Sequence, residues 1–157
     1  MGRAFPPIGR VSDADARFRL AAWTYFVYGV IYWVVAFYLE LTVFPVRRGL
    51  LVWFVIGALV TVGVPWVLAR RRPRFEQWAL ARRDFARVIT ILVAARALII
   101  ASLAAQGPEA LRMPRFGGGV PPTAAGAWGM AVVAAVTAVI LARAGWHDAT
   151  ASRSPLR

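Results

Sequence analysis

Few residues in this chain are placed to do chemistry, and the first to consider is an arginine inside apolar sequence. Phe85 to Ala105 reads FARVITILVAARALIIASLAA, with Arg96 near its middle. A run of this length crosses about 30 Å of hydrocarbon as a helix. A guanidinium halfway across costs at least about 2.5 kcal/mol on insertion scales, so it needs a partner or a task. At about 1.5 Å per residue from Phe85, Arg96 lies roughly 17 Å deep. The same depth in the run Leu20 to Phe44 falls near Ile31 and brings Tyr28, Tyr32 and Trp33 level with it. In the run Leu50 to Ala69 it falls at Gly57, Ala58 and Thr61. Arg96, Tyr28, Tyr32, Trp33 and Thr61 therefore form a candidate polar pocket for an anionic group of a substrate, lipid or cofactor. The same set also suits a structural arginine bonded to tyrosine hydroxyls, backbone carbonyls or a neighbouring subunit.

Three further groups carry weaker signals. Glu40 is the only acid within an apolar run and is a candidate proton or cation carrier. In that one respect the chain is similar to the small multidrug transporters, which have four helices and a glutamate in the first. No other motif of theirs is present. Glu40 also lies near the outer end of its run, roughly 30 Å from Leu20 and roughly 13 Å from the depth of Arg96. An interfacial carboxylate is the expectation. Arg70, Arg71 and Arg72, with Trp78 nearby, combine guanidinium charge and an interfacial ring and suit anionic lipid headgroups. His147, the single histidine, lies just past the last apolar run and offers one axial ligand to a haem or chlorophyll-type pigment. One chain cannot supply two histidines to a haem, and no metal site is expected. There is no cysteine, which excludes disulfides and thiolate metal sites. The glycines at 117–119 precede no Gly-Lys-Ser/Thr and follow no strand, so they are not a phosphate loop.

These residues need elements to hold them. The chain is 60% hydrophobic over 157 residues, more than a soluble domain of that size carries. Backbone groups in lipid must be satisfied within the segment, which selects helices. The expectation is an all-α integral membrane protein, a bundle of four transmembrane helices at 20–44, 50–69, 85–105 and 123–142. They are joined by an outer loop at 45–49, a basic loop or interfacial helix at 70–84 and a Gly/Pro-rich outer loop at 106–122. An arm at 1–19 and a tail at 143–157 flank them. Ser12-Asp13-Ala14-Asp15 offers a cap and an acidic first turn, so the first helix should begin there. That helix is crowded with aromatics, Phe26, Trp33 and Phe37 on one face and Tyr25, Tyr28 and Tyr32 beside it. Gly57 and Thr61 permit close approach to the second helix, and Pro65 predicts a mild kink. Arg87, Thr90, Ala94, Ala97 and Ala101 make a small face on the third. Ala127, Ala131, Ala134, Ala138 and Ala142 make a small-residue seam on the fourth.

All 19 basic residues are arginine, and their positions set orientation. Fourteen lie in the arm, the 70–87 stretch and the tail, against four in the other two loops. By the positive-inside bias both termini are cytoplasmic. The same bias explains the net charge of +12 without nucleic acid. Arginine without lysine, with abundant Ala, Gly and Pro, points to a GC-rich bacterial genome and hence a bacterial inner membrane. No catalytic motif is present. The expected role is a non-catalytic subunit or scaffold of a larger membrane complex, respiratory or photosynthetic. Partners would be lipids and other membrane subunits or further copies of the chain. Bound lipid is expected, no cofactor is predicted, and pigment, quinone or haem contact is allowed. The alternative is a small transporter or a lipid- or quinone-binding protein using the Arg96 pocket.

Overall fold

The computed structural model describes residues 13–42, 50–70, 80–112 and 120–147. Among them there is no strand. The elements are α1 (Asp13–Thr42), α2 (Leu50–Ala69), α3 (Arg82–Gln106), the single-turn α4 (Pro108–Arg112) and α5 (Ala124–Trp146). Four of these, α1, α2, α3 and α5, are long and apolar enough to cross a membrane. The longer elements are apolar on nearly every side, as expected of helices in hydrocarbon rather than on the surface of a soluble domain.

Local chemistry sets the ends. Asp15 lies in the first turn of α1, where a carboxylate complements the positive end of the helix dipole. At the close of α3, Gly107 adopts φ 98°, which favours glycine, and Pro108 then opens the next turn. This turn lies in the loop after Gln106, where no regular structure was expected. The Thr123 side chain caps α5 by accepting from the Gly126 N–H at 3.2 Å. α5 continues to Trp146, beyond the apolar limit at Ala142, because Ala144 and Gly145 are still buried. α2 runs unbroken through Pro65.

Two packing modes coexist. α3 and α5 form the most extensive pair, with Ala86, Ala97 and Ala104 facing the seam of Ala127, Ala131, Ala134 and Ala138. Small side chains let backbones approach and maximise dispersion contact where lipid offers no hydrophobic drive. The buried stripe of α3 is rotated from the small face read in the sequence. Thr90 and Ala97 belong to it, but so do Ile89, Val93, Ile100 and Leu103. α3 meets side chains of α1 as well as α5, so its contact arc falls between the two faces.

α1 and α2 instead pack ring on glycine. A Cβ on Gly57 would lie 2.6 Å from Trp33 Cζ2, and one on Gly29 would lie 3.1 Å from Thr61 Oγ1. Phe37 meets Phe54 edge-on beyond them. α2 rests mainly on α1 and only marginally on α3, so Val52, Val55, Leu59 and Val62 stay exposed. Several hydroxyls on the helices bond back to their own turns. Thr24 donates to Leu20 O at 2.9 Å, Ser102 to Ile99 O at 2.8 Å and Thr137 to Val133 O at 2.8 Å.

The glycine contacts give a paired test. Gly57→Ala drives a methyl into Trp33 and should lower stability by about 1–3 kcal/mol, the usual cost of overpacking. Gly129, with nothing near its missing Cβ, should accept Ala and gain up to about 1 kcal/mol from helix propensity. Thermal unfolding of the detergent-solubilised protein reads both; equal shifts would refute the Trp33 contact.

Candidate functional site

Two arginines on the first turns of α3 organise one end of the bundle. Arg82 is buried, 6% exposed. Its Nε donates to Leu68 O at the end of α2 at 2.8 Å. Its Nη1 meets Asp15 Oδ1 near the start of α1 at 2.9 Å, and its Cζ lies 4.0 Å from the centre of the Phe18 ring. Arg87 repeats the scheme on another side. Its Nε donates to Gly145 O at the end of α5 at 3.1 Å, its Nη1 to Asp84 at 2.8 Å, and its Cζ sits 5.5 Å from the Trp146 ring. Each guanidinium thus takes a helix-end carbonyl, a carboxylate and an aromatic face. The last carbonyls of a helix lack partners within it and carry its negative pole, so a cation there satisfies both needs. A Cβ on Gly145 would come within 3.1 Å of Arg87 Cγ, which is why glycine suits that end of α5.

Halfway along the same helix stands Arg96. Its Nη2 donates to the Tyr32 hydroxyl at 2.8 Å, and its Cζ lies 5.2 Å from the Tyr32 ring centre. Arg82 with Phe18 and Arg96 with Tyr32 share one sequence offset of 64. α1 and α3 therefore run in the same direction and in register, bridged by two arginine–aromatic rungs. Fourteen residues bring a helix back to within about 40° of the same face, which is how one side of α3 supplies both rungs.

The arrangement limits the chemistry. A guanidinium donates only and stays charged, so Arg96 can hold an anion or a ring but cannot move a proton. Tyr28 is buried with its ring 6.0 Å from that of Tyr32, and Trp33 meets Tyr32 edge-on at 5.5 Å. Trp33 turns its far side to Gly57, and Thr61 is buried against Gly29 with its hydroxyl oxygen unbonded. The structure thus brings Arg96, Tyr32 and Tyr28 together and assigns Trp33 and Thr61 to the α1–α2 contact.

Glu40 makes no pair with Arg96. Its side chain is half-buried near the end of α1, with Oε2 buried and lacking a hydrogen-bond partner. Arg70 is exposed at the end of α2; Arg71, Arg72 and Trp78 lie outside the described residues. His147 is exposed at the end of α5 beside Arg17 and Trp146. Among the described residues no three metal-ligating side chains cluster. The Arg82 and Arg87 ties were not read from the sequence, where Arg82 counted only as an orienting charge and Arg87 as that and as part of the small face of the third helix. The signal was present: basic residues in a helix first turn oppose its own dipole and have reason to reach for another helix.

Comparison with protein-family models, with curated proteins and with solved structures yields no match.

Two tests follow from this geometry. Arg82→Met should cost about 1.5–3 kcal/mol, the range for losing hydrogen bonds to a charged group. Asp15→Asn should cost less than about 1 kcal/mol, because Asp15 is 44% exposed and water replaces the partner. Chemical denaturation in detergent measures both, and a larger loss in Asp15→Asn would refute the tie. For the second rung, a double-mutant cycle of Arg96→Leu and Tyr32→Phe should return a coupling of about 0.6–1.7 kcal/mol, as for hydrogen bonds between membrane helices. A coupling of zero would remove that contact.

Proposed function

We propose that this chain is a multi-pass protein of a bacterial inner membrane, with both termini cytoplasmic, acting as a non-catalytic subunit or scaffold of a larger respiratory or photosynthetic complex. The observation that carries the proposal is the engagement of Arg96 by Tyr32. The one charge placed mid-span among the described residues is held by the chain itself, and as a guanidinium it does not give up a proton. The apolar face of α2 supports the same reading, because the helix rests mainly on α1 and leaves that face for lipid or another subunit. For the orientation, support comes from the helix ends. Arg17, Arg19, Arg70, Arg82, Arg83, Arg87 and Arg143 belong to the starts of α1 and α3 and the ends of α2 and α5, which Arg82 and Arg87 tie together.

The competing reading is a lipid- or quinone-binding protein, favoured by an apolar groove of about 380 Å³ between α1 and α5 lined by Tyr28, Val132, Val136 and Thr137. It requires ligand binding that Arg96→Ala abolishes without unfolding the chain.

Purification of the untagged protein from its own membrane should yield stoichiometric co-migrating subunits; a lone monomer would sink the scaffold role. Orientation is accessible because the chain has no native cysteine. A membrane-impermeant maleimide on intact cells should label Glu109→Cys and spare Leu80→Cys. The reverse pattern would invert the topology.

A further inference from the structure

We propose that the groove between α1 and α2 at the arginine-rich end is a binding site for one anionic phospholipid. In it Arg19 and Arg70 hold the phosphate, and Trp23, Phe26, Val62 and Trp66 lie along the acyl chain. The proposal rests on the membrane reading above and on no other part of it. The groove has a volume of about 550 Å³. Among the described residues its charged lining is Arg19 and Arg70, one from each wall. Neither has an ion pair or hydrogen bond within the chain among the described residues. They stand level because the Arg82 tie draws Asp15 of α1 to Leu68 of α2, four and two residues away respectively.

Beneath the two charges the walls are apolar and aromatic. Trp23 is 67% exposed and Trp66 is 52% exposed, so two large rings stand uncovered on either side of the cleft. Tryptophan favours the depth where headgroup meets hydrocarbon, with its N–H toward water and its ring along the chains. Pro65 lines the cleft and presents no N–H of its own to the occupant. The arginine stems can lie along the lipid while the guanidinium heads reach the phosphate.

Charge separates the possible occupants. A zwitterionic headgroup brings a cation against two guanidiniums with no carboxylate among the described lining residues to receive it; an anionic headgroup does not. Inorganic phosphate would satisfy the arginines but leave both tryptophans uncovered. On the other side of α1 a second basic groove, about 790 Å³, contains Arg17, Arg143 and Trp146. It is wider, and Arg17 is already engaged within the chain, so it serves as an internal comparison.

The test is native mass spectrometry of the full chain in detergent, titrated with dioleoyl phosphatidylglycerol or dioleoyl phosphatidylcholine. The first phosphatidylglycerol should bind about thirtyfold more tightly, since each of the two basic residues at an anionic headgroup is worth about 1 kcal/mol. Arg19→Gln/Arg70→Gln should remove that preference, Arg19→Lys/Arg70→Lys should keep most of it, and Arg143→Gln should leave it unchanged. Trp66→Ala should weaken both lipids together. Circular dichroism checks the double variant; if it does not fold, Arg70→Gln alone decides, at an exposed position. Equal affinity for the two lipids, or an undiminished preference in the glutamine variant, would overturn the proposal. So would displacement of phosphatidylglycerol by millimolar inorganic phosphate, which would mark a phosphate site. Flotation with phosphatidylcholine vesicles separates the two levels. A chain that floats but shows no preference refutes the groove alone, and a chain that does not float refutes the membrane reading itself.

Discussion

Helix ends have to be satisfied where water is scarce, and in this chain two arginines on one helix do it for two others. Arg82 and Arg87 are five residues apart, which turns them about 140° from each other around α3. One therefore reaches the end of α2 and the start of α1, and the other reaches the end of α5. Because the partners are helix-end carbonyls, the contacts fix how far each helix slides along α3 as well as which helix is adjacent. The buried Arg82 also rests on the Phe18 ring, which replaces part of its lost hydration with a polarisable face. Removing water from a guanidinium is costly, so such a group is stable only where its contacts are fixed beforehand. The surrounding helices provide that fixity, and the arginine in turn sets their register.

From that end the rest of the packing follows by geometry. The α3–α5 seam is built of alanine, and its backbones come close. α1 carries tyrosines toward α3, and large side chains cannot sit at an alanine distance. The space between α1 and α3 is accordingly bridged by side chains, Arg96 against Tyr32 being the second rung of the ladder that begins at Arg82 and Phe18. α2 is left with α1, through Trp33 on Gly57 and Thr61 on Gly29. A bundle assembled in this way has one tightly covered helix pair and one helix with much of its surface uncovered.

Depth was legible in the sequence and azimuth was not. Counting a fixed rise per residue from Phe85 and from Leu20 put Arg96 level with Tyr32 before any contact was known. The structure brings those two side chains to 2.8 Å. The same count put Trp33 and Thr61 at that depth, but depth does not say which neighbour a side chain faces, and both turn to the α1–α2 contact. The alanine stripe of α5 was readable because one residue type recurred at helical spacing. The buried arc of α3 was less so, since a helix with two unlike neighbours buries a mixture. Arg82 escaped notice because an arginine at a membrane edge already has a sufficient explanation in topology, and sequence alone cannot add a second one.

The division of labour among the arginines bears on what the chain can be for. A guanidinium neither gives nor takes a proton at any accessible pH, so a span whose mid-depth charge is arginine is poorly suited to proton coupling. Holding that arginine on a tyrosine further reduces its call on an outside anion. At the basic end Arg19 and Arg70 are without partners among the described residues, while Arg82 and Arg87 at the start of α3 are bonded to helix-end carbonyls and carboxylates. The same residue type thus serves two ends. Buried against helix termini it holds the helices in register, and exposed beside tryptophan it has no partner among the described residues. Both uses suit the scaffold role proposed above, in which a chain acts by holding position.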